Sequence, residues 1–276
     1  MTTVAERRRA FRALHDSGCF VLPNPWDIGS ARYLAHLGFK ALATTSSGAA
    51  WSLGQADGAV PLEPMLEHIR AIVEATDLPV NADFLAGFAR APDAVAANVR
   101  RCIDTGVAGL SIEDSTGDKA EPLFDFALAV ERVAAARATI DAAGGDVLLV
   151  ARAECFLTGH PDPLNEAIRR LTAFADVGAD CLYAPGPTSR DAITAIVKAV
   201  APRPVNVLAR DPNGLTMSDF AELGVRRVSV GGALARMAWG GFMRSAREIA
   251  EKGSFTAFAD AASGAELNGL FPEKAP

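Results

Sequence analysis

The sequence has little of what marks a disulfide-rich, zinc-binding or membrane-spanning protein. Its four cysteines, in 276 residues, form no Cys-x-x-Cys pair, so neither a disulfide framework nor a zinc site is indicated and we expect reduced thiols. No stretch approaches the run of about 20 apolar residues that a membrane span needs. The arginines near the N-terminus are not followed by the apolar segment of a signal peptide. We therefore expect a soluble, cytoplasmic protein with no membrane partner.

A strong excess of positive charge is also missing. The formal net charge is -6, and lysine and arginine are scattered rather than gathered in a stripe, so nucleic acid is not an expected partner. Half of the residues are hydrophobic, which is enough to bury a large core in one domain. We predict one domain over residues 1–276, with an N-terminal helix in 1–17, the main fold in 18–250 and a helical extension in 251–276.

Short apolar runs alternate with segments of helical periodicity, which predicts an α/β protein with a parallel sheet. Because the runs are apolar almost throughout, both faces of each strand should be covered. No Gly-x-Gly-x-x-Gly opens the first helix, and eight units favour a closed (β/α)₈ TIM barrel over an open doubly wound sheet. The predicted strands are 20–23, 41–46, 79–84, 109–114, 147–154, 180–184, 204–209 and 227–231. A helix in 4–15 should close the bottom of the barrel, and residues 255–262 have helical spacing.

In a closed barrel the reacting groups come from the carboxyl ends of the strands. Asp83, Glu113, Arg152 and Glu154 all lie at such ends. If Asp83 and Glu113 approach within about 4 Å, their repulsion is about 4 kcal/mol at an effective dielectric of 20. They then need a cation or a raised pKa. Oxygen ligands without histidine or cysteine suit Mg²⁺ or Mn²⁺, and Arg152 offers a planar fork for a substrate anion.

These residues also allow structural interpretations. Buried acids and arginines can form a paired network without any ligand, although so many on successive strand ends favour a site. Trp26 and Asp27 can simply staple and cap the first helix after the barrel begins. Cys155 follows a strand end without a histidine nearby in sequence, so a buried apolar role is favoured over a nucleophile.

Five motifs follow one another at the strand ends. They are Asn-Pro-Trp-Asp at 24–27, Thr-Ser-Ser-Gly at 45–48, Asp83 before Gly-Phe at 87–88, Ser-Ile-Glu-Asp at 111–114, and Ala-Arg-Ala-Glu at 151–154. In this order they resemble signatures of the isocitrate lyase and phosphoenolpyruvate mutase superfamily, and the resemblance runs from about residue 18 to residue 250. It implies a (β/α)₈ barrel whose last helix is swapped between subunits, in a homo-oligomer that is a dimer or a dimer of dimers.

The resemblance also implies roles for individual residues. Asp83 matches a direct Mg²⁺ ligand, Glu113 a carboxylate of the metal shell, and Arg152 the arginine on the substrate oxygens. Asp57 falls on a loop that covers the site. The substrate is implied to be a small 2-oxo acid, whose carboxylate is bound by the backbone amides of Ser47, Gly48 and Ala49. The candidate substrate-binding residues are Trp26, Ser46, Ser47, Gly48, Ala49, Arg152, Tyr183 and Asn206; the catalytic candidates are Arg152, Glu113 and Asp57; the metal candidates are Asp83 and Glu113.

Two departures from the family pattern bear on activity. Leu85 stands where the family usually has a second carboxylate. Residues 115–120 read Ser-Thr-Gly-Asp-Lys-Ala, where isocitrate and methylisocitrate lyases have Lys-Lys-Cys-Gly-His, so the general acid of those lyases is absent. Asp118, Lys119 and Tyr183 are alternative proton donors among which the sequence does not choose.

The sequence leaves three candidate functions open. The first is a Mg²⁺-dependent carbon–carbon lyase acting on a small 2-hydroxy or 2-oxo di- or tricarboxylic acid through a metal-stabilised enolate. The second is phosphonopyruvate mutase or hydrolase chemistry, which ranks lower because the loop after Glu113 has no Asn-Ser pair. The third is a 2-oxo acid binding protein, for 2-oxoglutarate or oxaloacetate, with little turnover, which Leu85 and the missing cysteine favour.

Overall fold

The sheet of the computed structural model, which describes residues 2–212 and 214–271, contains eight parallel strands in the order β1-β8-β7-β6-β5-β4-β3-β2. The main chain joins the two ends of this order, since the Ala43 amide donates to the Pro23 carbonyl at 3.0 Å. The predicted (β/α)₈ barrel is confirmed. Its strands are Phe20–Leu22 (β1), Leu42–Ala43 (β2), Val80–Asp83 (β3), Gly109–Glu113 (β4), Leu148–Arg152 (β5), Cys181–Tyr183 (β6), Val205–Leu208 (β7) and Arg227–Ser229 (β8).

Helices alternate with these strands, and most lie outside the sheet. Each predicted strand is present but ends earlier than its apolar run, and Ser46, predicted as strand, begins a helix instead. The helices are Val4–Ala13 (α1), Ile28–His36 (α2), Ser46–Ser52 (α3), Leu62–Ala75 (α4), Pro92–Ile103 (α5), Phe126–Ala142 (α6), Pro163–Asp176 (α7), Arg190–Val200 (α8), Met217–Glu222 (α9), Ala233–Lys252 (α10) and Gly264–Leu270 (α11), with a 3₁₀ turn at Thr256–Asp260.

The helix α1 closes the bottom of the barrel. Phe11 is fully buried in the core cluster that fills the barrel lumen. Arginines of α1 donate to carbonyls near the ends of the wall helices: Arg7 to Val73 at 2.9 Å and Arg8 to Ile103 at 3.3 Å. The last carbonyls of a helix lack partners within the helix, so these guanidinium groups complete the hydrogen bonding of the barrel floor.

A side chain reinforces the seam between β1 and β2. The Asn24 amide donates to the Thr44 carbonyl at 3.0 Å, and its oxygen accepts from the amides of Val230 and Gly231 at 2.9 and 2.8 Å. One residue thus ties together the carboxyl ends of β1, β2 and β8. The four cysteines are all free thiols, as expected.

The helix α10 leaves the barrel with much of its apolar surface uncovered. Only Ala235 is buried along its 20 residues, whereas Met237 is 70% exposed and Phe242 61% exposed. Beside the barrel, α11 packs on α2 and leaves a largely apolar groove of about 660 Å³ that includes Tyr33 and Leu270. In the described residues no helix is both long and apolar enough to cross a membrane.

Candidate active site

A cavity of about 170 Å³ opens at the carboxyl ends of the strands. Its wall carries residues from most of the eight strand ends, as expected for a barrel whose site lies at this face. The polar side chains lining it are Asn24, Thr44, Thr45, Ser46, Ser47, Asp57, Asn81, Asp83, Ser111, Arg152, Tyr183, Arg227 and Ser229.

Arg152, at the end of β5, lies among three carboxylates. Its Nη1 is 2.8 Å from Asp83 Oδ1, its Nη2 is 3.1 Å from Glu113 Oε2, and its Nε is 2.9 Å from Glu154 Oε1. The strand register sets this arrangement, since Arg152 pairs with Glu113 across β4 and β5 and Glu154 follows two residues later. A guanidinium group has five N–H groups, so two are left for an oxygen of a bound molecule.

Three carboxylates around one guanidinium leave an excess of negative charge. Burial raises the pKa of Glu113 to about 8, with Glu154 and Asp83 adding to the rise and Arg152 opposing it. Burial likewise raises the pKa of Glu154. The sequence predicts either a cation or a raised pKa where these acids approach one another. The structure has both, since the Arg152 guanidinium lies between Asp83 and Glu113 and the pKa of Glu113 is raised. Arg152 alone does not neutralise the group, so a further cation is favoured here.

The first turn of α3 fixes Asp83 and Asp57. The Ser46 amide donates to Asp83 Oδ2 at 2.9 Å, and the Ser46 hydroxyl donates to Asp57 Oδ1 at 3.3 Å. Burial raises the pKa of Asp57, and the neighbouring charge of Asp83 adds to the rise. Asp57 therefore combines a position on the cavity wall with a carboxyl group whose proton is held more tightly than usual.

A second ion pair supports the site from behind. The Glu154 amide donates to Asp114 Oδ1 at 2.8 Å, and Arg170 donates to Asp114 Oδ2 at 3.1 Å. Arg170 also donates to Glu166 at 2.7 Å. Asp114 follows β4, Glu154 follows β5, and Arg170 lies on α7. These contacts therefore hold the end of β5 against α7.

The structure brings four of the eight predicted substrate-binding residues to the cavity wall. Ser46, Ser47, Tyr183 and Arg152 line it, and Asn206 is fully buried beneath it. Trp26 lies elsewhere, in the apolar groove beside α2 and α11. The structural interpretation of Asp27 is confirmed, because it caps α2 by accepting from the Ser30 amide at 2.6 Å.

The amides predicted to bind a carboxylate are partly occupied within the protein. The Ala49 amide donates to the Thr45 carbonyl at 3.0 Å, and the Gly48 amide makes a long contact of 3.4 Å to the Thr45 hydroxyl. Ala49 is fully buried. A side chain at Gly48 would lie 2.7 Å from the Trp26 Cβ, so close packing of α3 against the first strand end accounts for this glycine.

The sequence interpretation missed Arg227, which it placed within an apolar strand. Its Nε donates to Asn206 Oδ1 at 2.9 Å, and the Asn206 amide donates to the Ser229 hydroxyl at 3.0 Å. The side chain is 3% exposed, yet it lines the cavity. The available signal was a charged residue inside a strand predicted to be buried on both faces.

The loop after β3 is held in a strained form at the position of the missing carboxylate. Leu85 has a φ of 48°, unusual for a residue other than glycine, and its carbonyl accepts from the Glu113 amide at 3.0 Å. Arg132 donates to the next carbonyl, Ala86, and its guanidinium stacks 3.7 Å above the Phe124 ring. The loop is thereby fixed to α6 and to the segment after β4.

The loop after β4 forms a small hairpin beside the cavity. Ser115 bridges to Leu123, and Asp118 and Lys119 line a neighbouring pocket of about 350 Å³. Leu157 belongs to the walls of both spaces. Asp118 and Lys119 therefore lie next to the cavity without lining it, whereas Tyr183, the third alternative proton donor, lines it; burial raises the pKa of Tyr183 to about 12.

The acids at the strand ends suit a hard divalent cation. Asp83, Glu113 and Glu154 offer only oxygen atoms and carry more negative charge than Arg152 balances. Within residues 2–212 and 214–271, no cluster of three or more histidine, cysteine, aspartate or glutamate side chains is arranged around a common metal position. Mg²⁺ typically takes only one or two protein carboxylates, with water and substrate completing the shell, so the residues present fit it.

A barrel with an arginine–carboxylate centre at its strand ends has the architecture of an enzyme. Comparison with known proteins identifies the family. The family model described as phosphoenolpyruvate phosphomutase matches residues 11–250. The chain belongs to the phosphoenolpyruvate mutase and isocitrate lyase superfamily, whose members are enzymes acting on small carboxylic acids.

Individual relatives resemble the chain over most of its length. An oxaloacetate decarboxylase of Paraburkholderia xenovorans is 31% identical over 81% of this chain and 74% of its own. The structure of a lyase/mutase candidate from Burkholderia cenocepacia J2315 is 46% identical, with a TM-score of 0.93, over 98% of this chain and 97% of that one. A phosphonopyruvate hydrolase, solved with oxalate and Mg²⁺, is 26% identical, with a TM-score of 0.84, over 98% and 95% of the two chains.

Proposed function

We propose that the protein is a Mg²⁺-dependent enzyme that cleaves a carbon–carbon bond in a small 2-oxo or 2-hydroxy acid. The observation that carries the proposal is the placement of Arg152 among Asp83, Glu113 and Glu154 at the wall of a cavity of about 170 Å³. Such a cavity admits a small acid. The relationship to an oxaloacetate decarboxylase supports carbon–carbon cleavage.

Asp83 is the residue that would hold the metal directly, with Glu113 beside it. When bound, Mg²⁺ would supply positive charge to the oxygens on which an enolate develops. The relative solved with oxalate and Mg²⁺ supports this cofactor, and Mn²⁺ has the same preference for oxygen ligands.

Arg152 would orient the substrate through the two N–H groups that its carboxylate partners leave free. Its guanidinium is held from three sides, so little rotational freedom is lost when an anion binds. It also carries fixed positive charge to the position where negative charge accumulates during cleavage. These two effects make Arg152 the principal substrate-binding and charge-stabilising residue.

Asp57 is placed to move a proton. Its carboxyl lines the cavity, accepts from the Ser46 hydroxyl and has a raised pKa, as a general acid or base near neutral pH requires. Cleavage of either kind of substrate leaves an enolate that must gain a proton. Because residues 115–120 lack the cysteine and histidine of the lyase loop, Asp57 is the proton donor proposed here.

A 2-oxo acid binding protein with little turnover is the second candidate function. Leu85 removes a carboxylate from the expected metal shell, and Arg152 already has carboxylate partners on three sides. Both features weaken the case for catalysis without weakening the case for binding an anion. Phosphonopyruvate chemistry ranks third, because the loop after Glu113 has no Asn-Ser pair.

Proton NMR with saturation transfer tests the proposal. The protein and Mg²⁺ are mixed with isocitrate, methylisocitrate, oxaloacetate, phosphonopyruvate and 2-oxoglutarate. We expect one acid to disappear with matching growth of its products, and EDTA or Asp83→Ala to abolish the reaction. Asp176→Ala, at an exposed position of α7, is the matched control and should retain it. Saturation of a 2-oxo acid without turnover would favour the binding protein, and the absence of both signals would refute the proposed site.

We also propose that α10 is exchanged between subunits of a homo-oligomer. The apolar face of α10, including Trp239, Phe242 and Met243, is exposed, and the apolar groove beside α2 lies on the same chain. Exposed apolar area of this kind marks an interface. Light scattering should give a mass of two or four times 28.8 kDa. Phe242→Glu should lower it, and a monomeric wild type would refute the exchange.

A further inference from the structure

The guanidinium of Arg227 lies inside the barrel, directly below the cavity. It is 3% exposed and forms part of the cavity wall. The strand register places Arg152, Tyr183, Asn206 and Arg227 in one row across β5, β6, β7 and β8, each paired with the next. Paired residues of a parallel sheet share a face, so the row runs along the inside of the barrel with an arginine at each end.

Arg227 has no acidic partner among the residues that the structure describes. Its Nε donates to the Asn206 side-chain oxygen at 2.9 Å, and its Nη1 is 3.4 Å from His15 Nε2. Its Nη2 makes no hydrogen bond within residues 2–212 and 214–271. A buried charge without a counter-ion is costly, and arginines buried to this degree are usually paired.

The two neighbours of Arg227 do not supply the missing charge. Asn206 is neutral, and His15 donates from Nδ1 to the Phe11 carbonyl at 2.8 Å, which leaves Nε2 as an acceptor toward Arg227. Asp57 and Asp83, the acids of the cavity wall, interact with Ser46 and Arg152 instead. Arg152, at the other end of the row, already has three carboxylates as counter-ions, whereas Arg227 has none among the described residues.

We propose that Arg227 binds the second carboxylate of a dicarboxylic substrate and thereby selects diacids over monoacids. The inference rests on the proposed function, in which Arg152 and the acids around it receive the 2-oxo or 2-hydroxy acid end. Arg227 is then the specificity-determining residue for the other end. A carboxylate at its free Nη2 completes the ion pair that the protein itself leaves incomplete.

Two acids that share the 2-hydroxy acid end and differ only in the terminal group test this assignment. In (S)-malate and (S)-2-hydroxybutyrate the same 2-hydroxy acid end carries a terminal carboxylate or a terminal methyl group. Calorimetry in Mg²⁺ buffer should show that the wild type binds malate about 10- to 100-fold more tightly, as a hydrogen bond to a charged group allows. Arg227→Gln should abolish this preference and leave the affinity for 2-hydroxybutyrate unchanged. Arg226→Gln, which removes the neighbouring charge outside the cavity, is the matched control and should keep the preference.

A purely structural role for Arg227 gives different results. Equal weakening of both acids in Arg227→Gln, or a malate preference that survives the substitution, would overturn the assignment. If Arg227→Gln does not fold, the wild type still decides, because malate but not 2-hydroxybutyrate should shift the His15 ring resonances through Arg227; equal shifts would overturn it. Equal affinity of the wild type for both acids refutes this inference alone, whereas no binding of either acid refutes the proposed function as well.

Discussion

Lowering the pH should destabilise the protein through His15, which is buried beneath the barrel. Its Nδ1 donates to the Phe11 carbonyl, and its Nε2 faces the guanidinium of Arg227 at 3.4 Å. Burial, followed by the charge of Arg227, lowers the pKa of His15 to about 3 from its ordinary value of 6.5. A second proton on the ring would be forced against a guanidinium, so the folded protein keeps the ring neutral.

The sign and size of the effect follow from proton linkage. Between pH 6.5 and pH 3 the unfolded chain binds one proton that the folded chain does not, so stability falls as the pH falls. The slope is about 1.4 kcal/mol for each pH unit. The full stabilising contribution of His15 is present above pH 6.5. Between pH 7 and pH 5 the free energy of unfolding should therefore fall by about 2 kcal/mol on account of His15.

Urea unfolding of matched variants isolates this contribution. His15→Gln keeps an acceptor for Arg227 and a donor for Phe11 but cannot gain a proton. The wild type should lose about 2 kcal/mol more than His15→Gln between pH 7 and pH 5. His36→Gln, which removes an exposed histidine from α2, is the control and should behave like the wild type. Equal losses in the wild type and His15→Gln would refute the reasoning, since the carboxylates titrate alike in both.

Three further substitutions test the site and its supports. Gly232→Ala would place a Cβ 2.6 Å from Ser47 Oγ, so we expect the thermal midpoint to fall, by an amount equivalent to about 1 to 3 kcal/mol; an unchanged midpoint would contradict this. Asp114→Asn removes one of the two carboxylates that contact the buried Arg170 and leaves only Glu166, so it should cost about 2 kcal/mol in urea unfolding, and a loss below 1 kcal/mol would show that the pair is dispensable. Leu85→Glu should raise Mg²⁺ affinity about tenfold by calorimetry, and a gain in rate as well would distinguish an enzyme from a binding protein.

The sequence predicted the strands better than their ends. Every strand was evident because its apolar residues are contiguous, and the rhythm of strand and helix then fixed the barrel. The ends were too long because side chains, not periodicity, decide where pairing stops. Ser46 leaves β2 to donate its amide to Asp83, a residue 37 positions away, and no local pattern reports such a contact.

The candidate site shows the same division. The proximity of Asp83, Glu113 and Arg152 could be anticipated because charged residues at the ends of apolar strands are conspicuous, and their functional roles remain predictions. Arg152 contacts Asp83, Glu113 and Glu154 together. This arrangement depends on strand register and barrel closure, which only the structure gives. Arg227 was overlooked because its position in the barrel interior, rather than its place in the chain, makes it a candidate for function.

The contacts of α1 set an order for folding during synthesis. This helix is translated before the barrel strands, yet Arg12 contacts Asp180 and His15 contacts Arg227, 212 residues later. Neither contact forms until most of the chain has been translated, and contacts between such distant residues form slowly. The contacts of α1 with Val73 and Ile103 become available early, whereas its contacts with Asp180 and Arg227 complete the barrel floor only after the eighth strand has been synthesised.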